Sequence, residues 1–553
     1  MSFAEAQDAF FADFFRHYPT NATDAGNHEH DDRWPDLTDA GSAERVAWLS
    51  EIRDRLDGLD ALSRDEQIDR RVLLGVIDEM RFDEEELDEP SWSPIFYSYL
   101  FGGGLFALLS REFAPLEQRL ASAAGRMEGI PAALDAARAN LTSGRGRAVS
   151  GFHTEKAIDT MPGVSDLCRT AVEMADGVDE ALRGRVHRAS RVATEAVDAF
   201  VTWLRGELLP TADGDFRLGR ELYERKFTHR LKATITPQEL EARAAATYDE
   251  VRAEMLRIAR ELWPAWIGNE PMPQDGDLLT RRVLDAIAVE HPKADELLDF
   301  CRAEHRRIED FIRQRDLIGL AEEPLQIIWT PPFLRAFGGA MLIPPGPLDK
   351  GLDSFFAITP PPDDWTDEQV TSFLREYNSR SLRILTIHEA VPGHYLQLAW
   401  SNRCDSLARA VFGSGVFAEG WAVYVTQVMI DAGYGAHDPA LLMAHWKYFL
   451  RACTNTLMDI RIHTGTMTEE EAMSMMVDGG FQERSEASEK WNRARLSSTQ
   501  LCEYYLGGVE MTDLEREARH RAGGAFAWRP HLESVVSHGT PPMPVIRDIL
   551  FGA

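Results

Sequence analysis

The segment from Leu385 to Trp400 reads LTIHEAVPGHYLQLAW and sets His388, Glu389 and His394 inside an apolar, helix-forming stretch. Two imidazoles and a carboxylate are costly to bury there unless they pair with one another or hold a metal. Zinc hydrolases commonly use HExxH. Its histidines lie four apart, about 400° around a helix, so both face one ion and the Glu serves as general base. Here the histidines are six positions apart, about 600°, which leaves them roughly 120° apart on an ideal helix. Pro392 and Gly393 stand between them, and such residues kink or bulge a helix. A bulge there would return His394 to the side of His388. A zinc site of this kind needs a third ligand, often a Glu on the next helix. The candidate is Glu419, in the apolar run SGVFAEGWAVYVTQVMIDAGY. The plainer reading of Glu419 is a buried carboxylate paired with Arg or His.

These residues also resemble a known family. His388-Glu-Ala-Val-Pro-Gly-His394-Tyr-Leu-Gln397 is similar to the HExxPGHxxQ signature of the DUF885 family, and Glu419-Gly-Trp-Ala-Val-Tyr424 to its EGWAxY element. Asp459 to His463, Thr468 to Ala472, Arg493, Gln500 to Gly507, His531 and Gly539 to Pro544 follow in the family's order. One departure stands out: Ser498-Thr499 occupy the place of the family's usual Pro-Gly. The motifs in turn resemble those of gluzincin metallopeptidases. That resemblance implies a mainly α, large multi-helix gluzincin-like fold, with a small β-sheet next to the active-site helix and a deep channel. It also implies that Ser354–Ile358 is an edge strand able to pair with an extended peptide.

The roles that follow are expectations. His388, His394 and Glu419 hold Zn²⁺ and leave a fourth position open. Glu389 takes a proton from water and delivers it to the leaving amine. Tyr504 stabilises the oxyanion, and Arg493 binds a substrate carboxylate. His463 and His538 orient the site or donate to the oxyanion, the plainer reading of each being a satisfied core histidine. The expected function is a zinc-dependent hydrolase, a metallopeptidase cleaving short peptides. Two alternatives stand beside it: a metal-dependent hydrolase of a non-peptide amide or ester, and a metal-free binding or structural protein with a degenerate site. No GxSxG motif supports a serine nucleophile.

The elements that must position these residues are mostly helices. The first eighteen residues read as an amphipathic helix. Ala43–Leu62, Asp65–Asp83, Phe113–Asn140, Val164–Leu208 and Pro237–Leu262 carry apolar residues at spacings of three and four. Pro90, Gly102–Gly104, Pro131, Pro162–Gly163 and a turn over Thr211–Asp215 are expected to separate them. Near residue 320 the texture changes. Leu325–Trp329, Ala340–Ile343 and Ser354–Ile358 read as short strands punctuated by prolines, and Thr366 to Gln369 fits a capping box. We expect an N-terminal helical region over 1–320 and a catalytic region over 321–553, packed as one body.

The chain is 553 residues long, with 59 Lys and Arg against 90 Asp and Glu, a net charge of −31. So acidic a surface repels phosphate, which argues against nucleic acid or anionic membrane as the main partner; a peptide or small amide substrate is the partner that the motifs and the resemblance imply. The five cysteines are scattered with no CxxC pair, as expected of reduced thiols in a cytoplasmic protein. Acidic runs such as Asp83–Glu89 and Glu469–Glu471, and the His28-Glu-His30 stretch, read as solvated surface. His437 and His445 carry no sign of a partner.

Overall fold

Ser2, Ser63, Thr236, Thr366 and Thr468 each stand immediately before a helix. Each closes a capping box with the Glu or Gln three positions on, which satisfies backbone donors that the first helical turn would leave unpaired. Helices started in this way make the fold mainly α. The computed structural model describes residues 2–331, 335, 339–362, 364–465 and 467–552.

The expected helices form with shifted ends. They run over Phe3–His17, Asp39–Asp57, Arg64–Phe82, Leu116–Leu141 and Pro237–Trp266. Three local expectations fail. Gly102–Gly104 is no turn: it lies within helix Ile95–Ser110, where Gly102 and Gly103 face open space. Pro131 sits inside helix Leu116–Leu141 without ending it. The long helix expected over Val164–Leu208 is two, Pro162–Met174 and Glu180–Trp203. Asp179 restarts the second by accepting hydrogen bonds from the amides of Ala181 and Leu182.

The strands fall where expected: β1 Leu325–Trp329, β2 Ala340–Ile343 and β3 Ser354–Ile358. Their order is β1-β3-β2, with β3 parallel to β1 and antiparallel to β2. Ser354–Ile358 is therefore the central strand. Both its edges are already paired, so it cannot accept a peptide; the edges of the sheet are β1 and β2.

The chain divides into two compact units, Met1–Leu218 with Pro345–Leu352, and Gly219–Pro344 with Asp353–Ala553. The division falls at residue 218 and not at 320, because residues 219–320 help to build the core around the candidate site. Met255, Ile258 and Trp263 of helix Pro237–Trp266 pack with Met443 and Leu450 of helix Pro439–His463. Leu297, Leu298 and Cys301 of helix Leu297–Arg315 pack with Phe356 and Ile358 of β3 and with Leu382 and Leu385 of helix Ser379–Glu389. All five cysteines are free, and all but Cys404 are buried. Among the described residues no single helix is long and apolar enough to cross a membrane.

Candidate metal centre

Helix Ser379–Glu389 begins at Asn378, whose side chain accepts from the amides of Arg380 and Ser381. Leu382, Ile384, Leu385 and Ile387 bury most of its circumference. The helix thus delivers His388 and Glu389 into the interior in its last turn. It then stops. Ala390 and Gly393 both leave the helical region, and the Val391–Pro392 peptide between them is cis. A second helix starts at His394 and runs to Ser401. The expected bulge is a full break between two helices, and the break cancels the 120° offset. The two imidazoles meet edge to face, their centroids 4.7 Å apart.

Gly393 has no room for a side chain: a Cβ there would lie 1.9 Å from the His388 carbonyl oxygen. The indole N–H of Trp421 donates to the Pro392 carbonyl at 2.7 Å and fastens the break. Gln397 donates to Ser401 Oγ at 2.7 Å and Thr540 Oγ1 at 2.9 Å, and Ser401 donates to the Gly539 carbonyl at 3.1 Å. These bonds give the HExxPGHxxQ glutamine and the C-terminal glycine one shared structural task.

Glu419 comes from helix Gly415–Asp431, which crosses helix Glu503–Ala522 at two glycines. A Cβ on Gly420 would lie 2.4 Å from the Gly507 backbone, and one on Gly507 would lie 2.0 Å from the Val416 oxygen. Glu419 Oε2 lies 3.7 Å from His388 Nε2 and 3.4 Å from His394 Nε2. Donor atoms of the three residues all fall within 4.8 Å of one another. Glu419 Oε2 is buried and has no hydrogen-bond partner. A buried anionic oxygen aimed between two imidazole nitrogens, without hydrogen-bond geometry to either, suits donors spaced around one ion at about 2.0–2.2 Å from each. The residues therefore fit zinc.

The electrostatics agree with the grouping. Burial opposes the Glu419 charge, but the two histidines outweigh it and hold its pKa well below the usual value. Burial likewise opposes charge on His394, and Glu419 and Glu389 beside it raise its pKa. Glu389 goes the other way. Burial raises its pKa, against the pull of His388, His394 and the Leu342 amide of β2.

Of the remaining expected site residues, Tyr504 and Arg493 belong to this neighbourhood. Tyr504 stands in the first turn of helix Glu503–Ala522, and its phenolic oxygen accepts from Arg493 Nη2 at 3.3 Å and Gln500 Nε2 at 3.5 Å. Burial and then the Glu419 charge keep the phenol protonated. His463 is elsewhere. It is buried, its Nε2 lies 2.8 Å from the carbonyls of Ala494 and Ser497, and its ring stacks on Tyr223. Burial holds it neutral, as in a satisfied core histidine. His538 lies in the half-buried turn after helix Trp528–Val536, outside the cluster. His445 is also a core residue, bonded to Gln427 at 2.8 Å.

Sequence reasoning missed three features. Tyr448 places its ring 6.5 Å from that of His388. A half-buried charge set ties Glu376 to Lys447 and Arg451 at 2.8 and 2.7 Å, and Arg451 to Glu486 at 2.6 Å. Lys490 is the third. Lys447, Tyr448 and Arg451 share helix Pro439–His463, Glu486 and Lys490 share helix Arg484–Leu496, and Glu376 ends helix Asp367–Glu376; no common motif links the three helices, so only the fold assembles them.

Comparison with known proteins adds the family. A structure described as a putative lipoprotein of unknown function from Shewanella oneidensis is 32% identical, covers 100% of both chains and superposes with a TM-score of 0.86. A putative lipoprotein from Colwellia psychrerythraea has the same fold at 16% identity, with a TM-score of 0.78 over 97% of this chain and 95% of its own. No curated protein matches. The profile described as "Bacterial protein of unknown function (DUF885)" matches residues 19–550, and on that match the chain belongs to the DUF885 family.

Proposed function

We propose that this protein is a zinc-dependent hydrolase, a metallopeptidase of gluzincin type that cleaves short peptides. One observation carries the reading: His388, His394 and Glu419 converge, with an orphaned buried oxygen between the imidazoles. Zinc held there would supply Lewis acidity and lower the pKa of a water towards neutrality. Glu389 is the base. Its raised pKa brings it closer to working pH than a free carboxylate. It takes a proton from the attacking water as the new C–O bond forms, and passes it to the amine nitrogen as the C–N bond breaks. Tyr504 donates to the carbonyl oxygen as negative charge builds there. β2 is the sheet edge whose Leu342 acts on Glu389, so it takes over the peptide-pairing role first expected of Ser354–Ile358.

The test is metal content with turnover. Purified, zinc-loaded protein should hold about one zinc per chain, and His394→Ala should lose it. Glu389→Gln should keep the zinc and lose hydrolysis of short peptides by roughly 10²–10⁴-fold. Zinc bound with equal strength by wild type and His394→Ala would sink the reading. Ester and non-peptide amide probes run beside the peptides decide which bond is cut. Cytoplasmic location is part of the proposal. Two relatives are called putative lipoproteins, and recovery of this protein in the membrane fraction would overturn that part alone.

A further inference from the structure

Lys490 and Arg493 lie three positions apart on one face of helix Arg484–Leu496. Lys490 is half-buried and makes no hydrogen bond or ion pair with any described residue. Burial pulls its pKa down to about 8, and the charges that act on it come from Arg451, Arg493, Glu486 and Glu419. A confined ammonium without a partner is unfavourable. The neighbouring carboxylates make no ion pair with Lys490, although Glu486 Oε2 is left without a hydrogen-bond partner. Arg451 holds Glu486 at 2.6 Å, and Lys447 and Arg451 hold Glu376 at 2.8 and 2.7 Å. Glu503, pushed up to about 8 by burial and by Glu419, keeps its proton at neutral pH.

Arg493 is similar. Its Nη2 donates to Gln500 and Tyr504, while its Nε and Nη1 have no partner among the described residues. Arg493 stays accessible to water although protein surrounds it, and Glu419 is among the charges that raise its pKa. Two cations with free N–H groups therefore feel the charge of Glu419 in the candidate metal centre, in a chain of net charge −31. Such a pair suits a carboxylate, which an Arg fork and a Lys point charge can share.

Resting on the hydrolase reading above, we propose that Lys490 and Arg493 bind the free C-terminal carboxylate of a short peptide, so that cleavage falls near its carboxyl end. The position sets the register. Arg493 touches Tyr504, the residue that faces the reacting carbonyl in the proposed chemistry. An extended chain advances only about 3.3–3.6 Å per residue, so the anchored carboxylate belongs within a residue or two of the scissile bond. A long peptide running on past that point would lose the anchor.

The test is calorimetric binding to the Glu389→Gln protein, which separates binding from turnover. The probes are N-acetyl-trialanine, its C-terminal amide, and an amidated peptide of the same length ending in Glu. The acid should bind at least about 10-fold more tightly than the amide. Lys490→Met, a residue with no bonded partner to disturb, should bring the acid to the level of the amide and leave the amide unchanged. Equal binding of acid and amide, no binding of the acid, or equal weakening of both by Lys490→Met would overturn the proposal. Recovery of affinity by the amidated Glu peptide alone would overturn it in favour of side-chain recognition. Zinc content measured on the same samples keeps the two readings apart. Discrimination between acid and amide without zinc defeats only the metal reading, and zinc without discrimination defeats only this one.

Discussion

Asp459 shows how one residue can hold a site without touching its reacting atoms. It is fully buried. Its Oδ1 accepts from the Thr499 amide at 2.8 Å and from the Tyr223 hydroxyl at 2.7 Å, and its Oδ2 accepts from the Leu501 amide at 3.2 Å. Thr499 has φ +70°, a conformation unfavourable for a β-branched residue. The turn that the family's Pro-Gly would make easily is here made by Ser-Thr, and Asp459 binds it in place. From this turn rise Gln500, Glu503 and Tyr504. Asp459→Asn keeps the shape but points an amide N–H₂ at a backbone donor, whichever way it flips. It should destabilise the protein by about 2–4 kcal/mol, read as a fall in the urea midpoint at unchanged slope. A midpoint equal to wild type would show that the turn stands without the carboxylate.

Single residues were also the most legible scale in the sequence. His388, Glu389, His394 and Glu419 announce themselves as polar groups in apolar helices, and the fold brings them together. Lys490 sends no such signal. A lysine in a helix reads as a solvated face until tertiary packing encloses it. His463 carries the opposite lesson: its place in a motif reflects the carbonyls of Ala494 and Ser497 that it ties down.

At the scale of elements, glycine is the informative residue, and its meaning depends on what faces it. Gly507 and Gly103 are both inside helices. A Cβ on Gly507 would meet the Val416 oxygen at 2.0 Å and the Gly420 Cα at 2.6 Å, all backbone. Nothing lies within 4 Å of a Cβ on Gly103. Gly507→Ala must therefore push two helices apart, and with them Glu419 and Tyr504. It should cost about 3 kcal/mol or more and weaken zinc binding. Gly103→Ala removes backbone freedom from the unfolded chain at no steric cost and should stabilise by about 0.5–1 kcal/mol. Opposite shifts in thermal midpoint are the expected result; shifts of the same sign would refute the packing argument. The same contrast explains why Gly102–Gly104 misled sequence reading as a turn. Flanking composition distinguishes a breaker from a tolerated glycine only weakly, and the apolar stretch around it, Ile95 to Ser110, wins. Strands were easier to place than to order, because the proline-bounded runs fix where β1 to β3 lie, whereas which of them sits in the middle depends on pairing between distant residues.

At the scale of the molecule, net charge of −31 sets a background against which a few cations matter. The His28-Glu-His30 stretch is a case in point. Within the first unit, His28 does not lie free on the surface. Its ring stacks on Phe113 with centroids 3.8 Å apart, Nδ1 meets Asp31 at 2.8 Å and Nε2 meets Asp349 at 3.1 Å. Asp349 belongs to the Pro345–Leu352 segment, which counts with this unit although it follows β2 in the chain. Burial pulls the His28 pKa down, but bonds and charge from the two aspartates more than reverse that, to about 9. The folded state thus binds a proton more tightly than the unfolded chain, whose His titrates near 6.5. The stabilisation is complete below about pH 6.5 and is lost as pH rises through about 9. With the side chain 21% exposed, it amounts to about 2 kcal/mol. Other groups titrate in the same range, among them Asp24, whose pKa desolvation by surrounding protein raises to about 6. The test is therefore a difference: stability of wild type minus that of His28→Asn, measured by urea unfolding from pH 6 to pH 10. That difference should be largest at pH 6 and shrink by about 2 kcal/mol by pH 10, as the His28 proton that binds two aspartates together is removed. A difference independent of pH would mean that the stacking on Phe113, and not the shared proton, secures the segment.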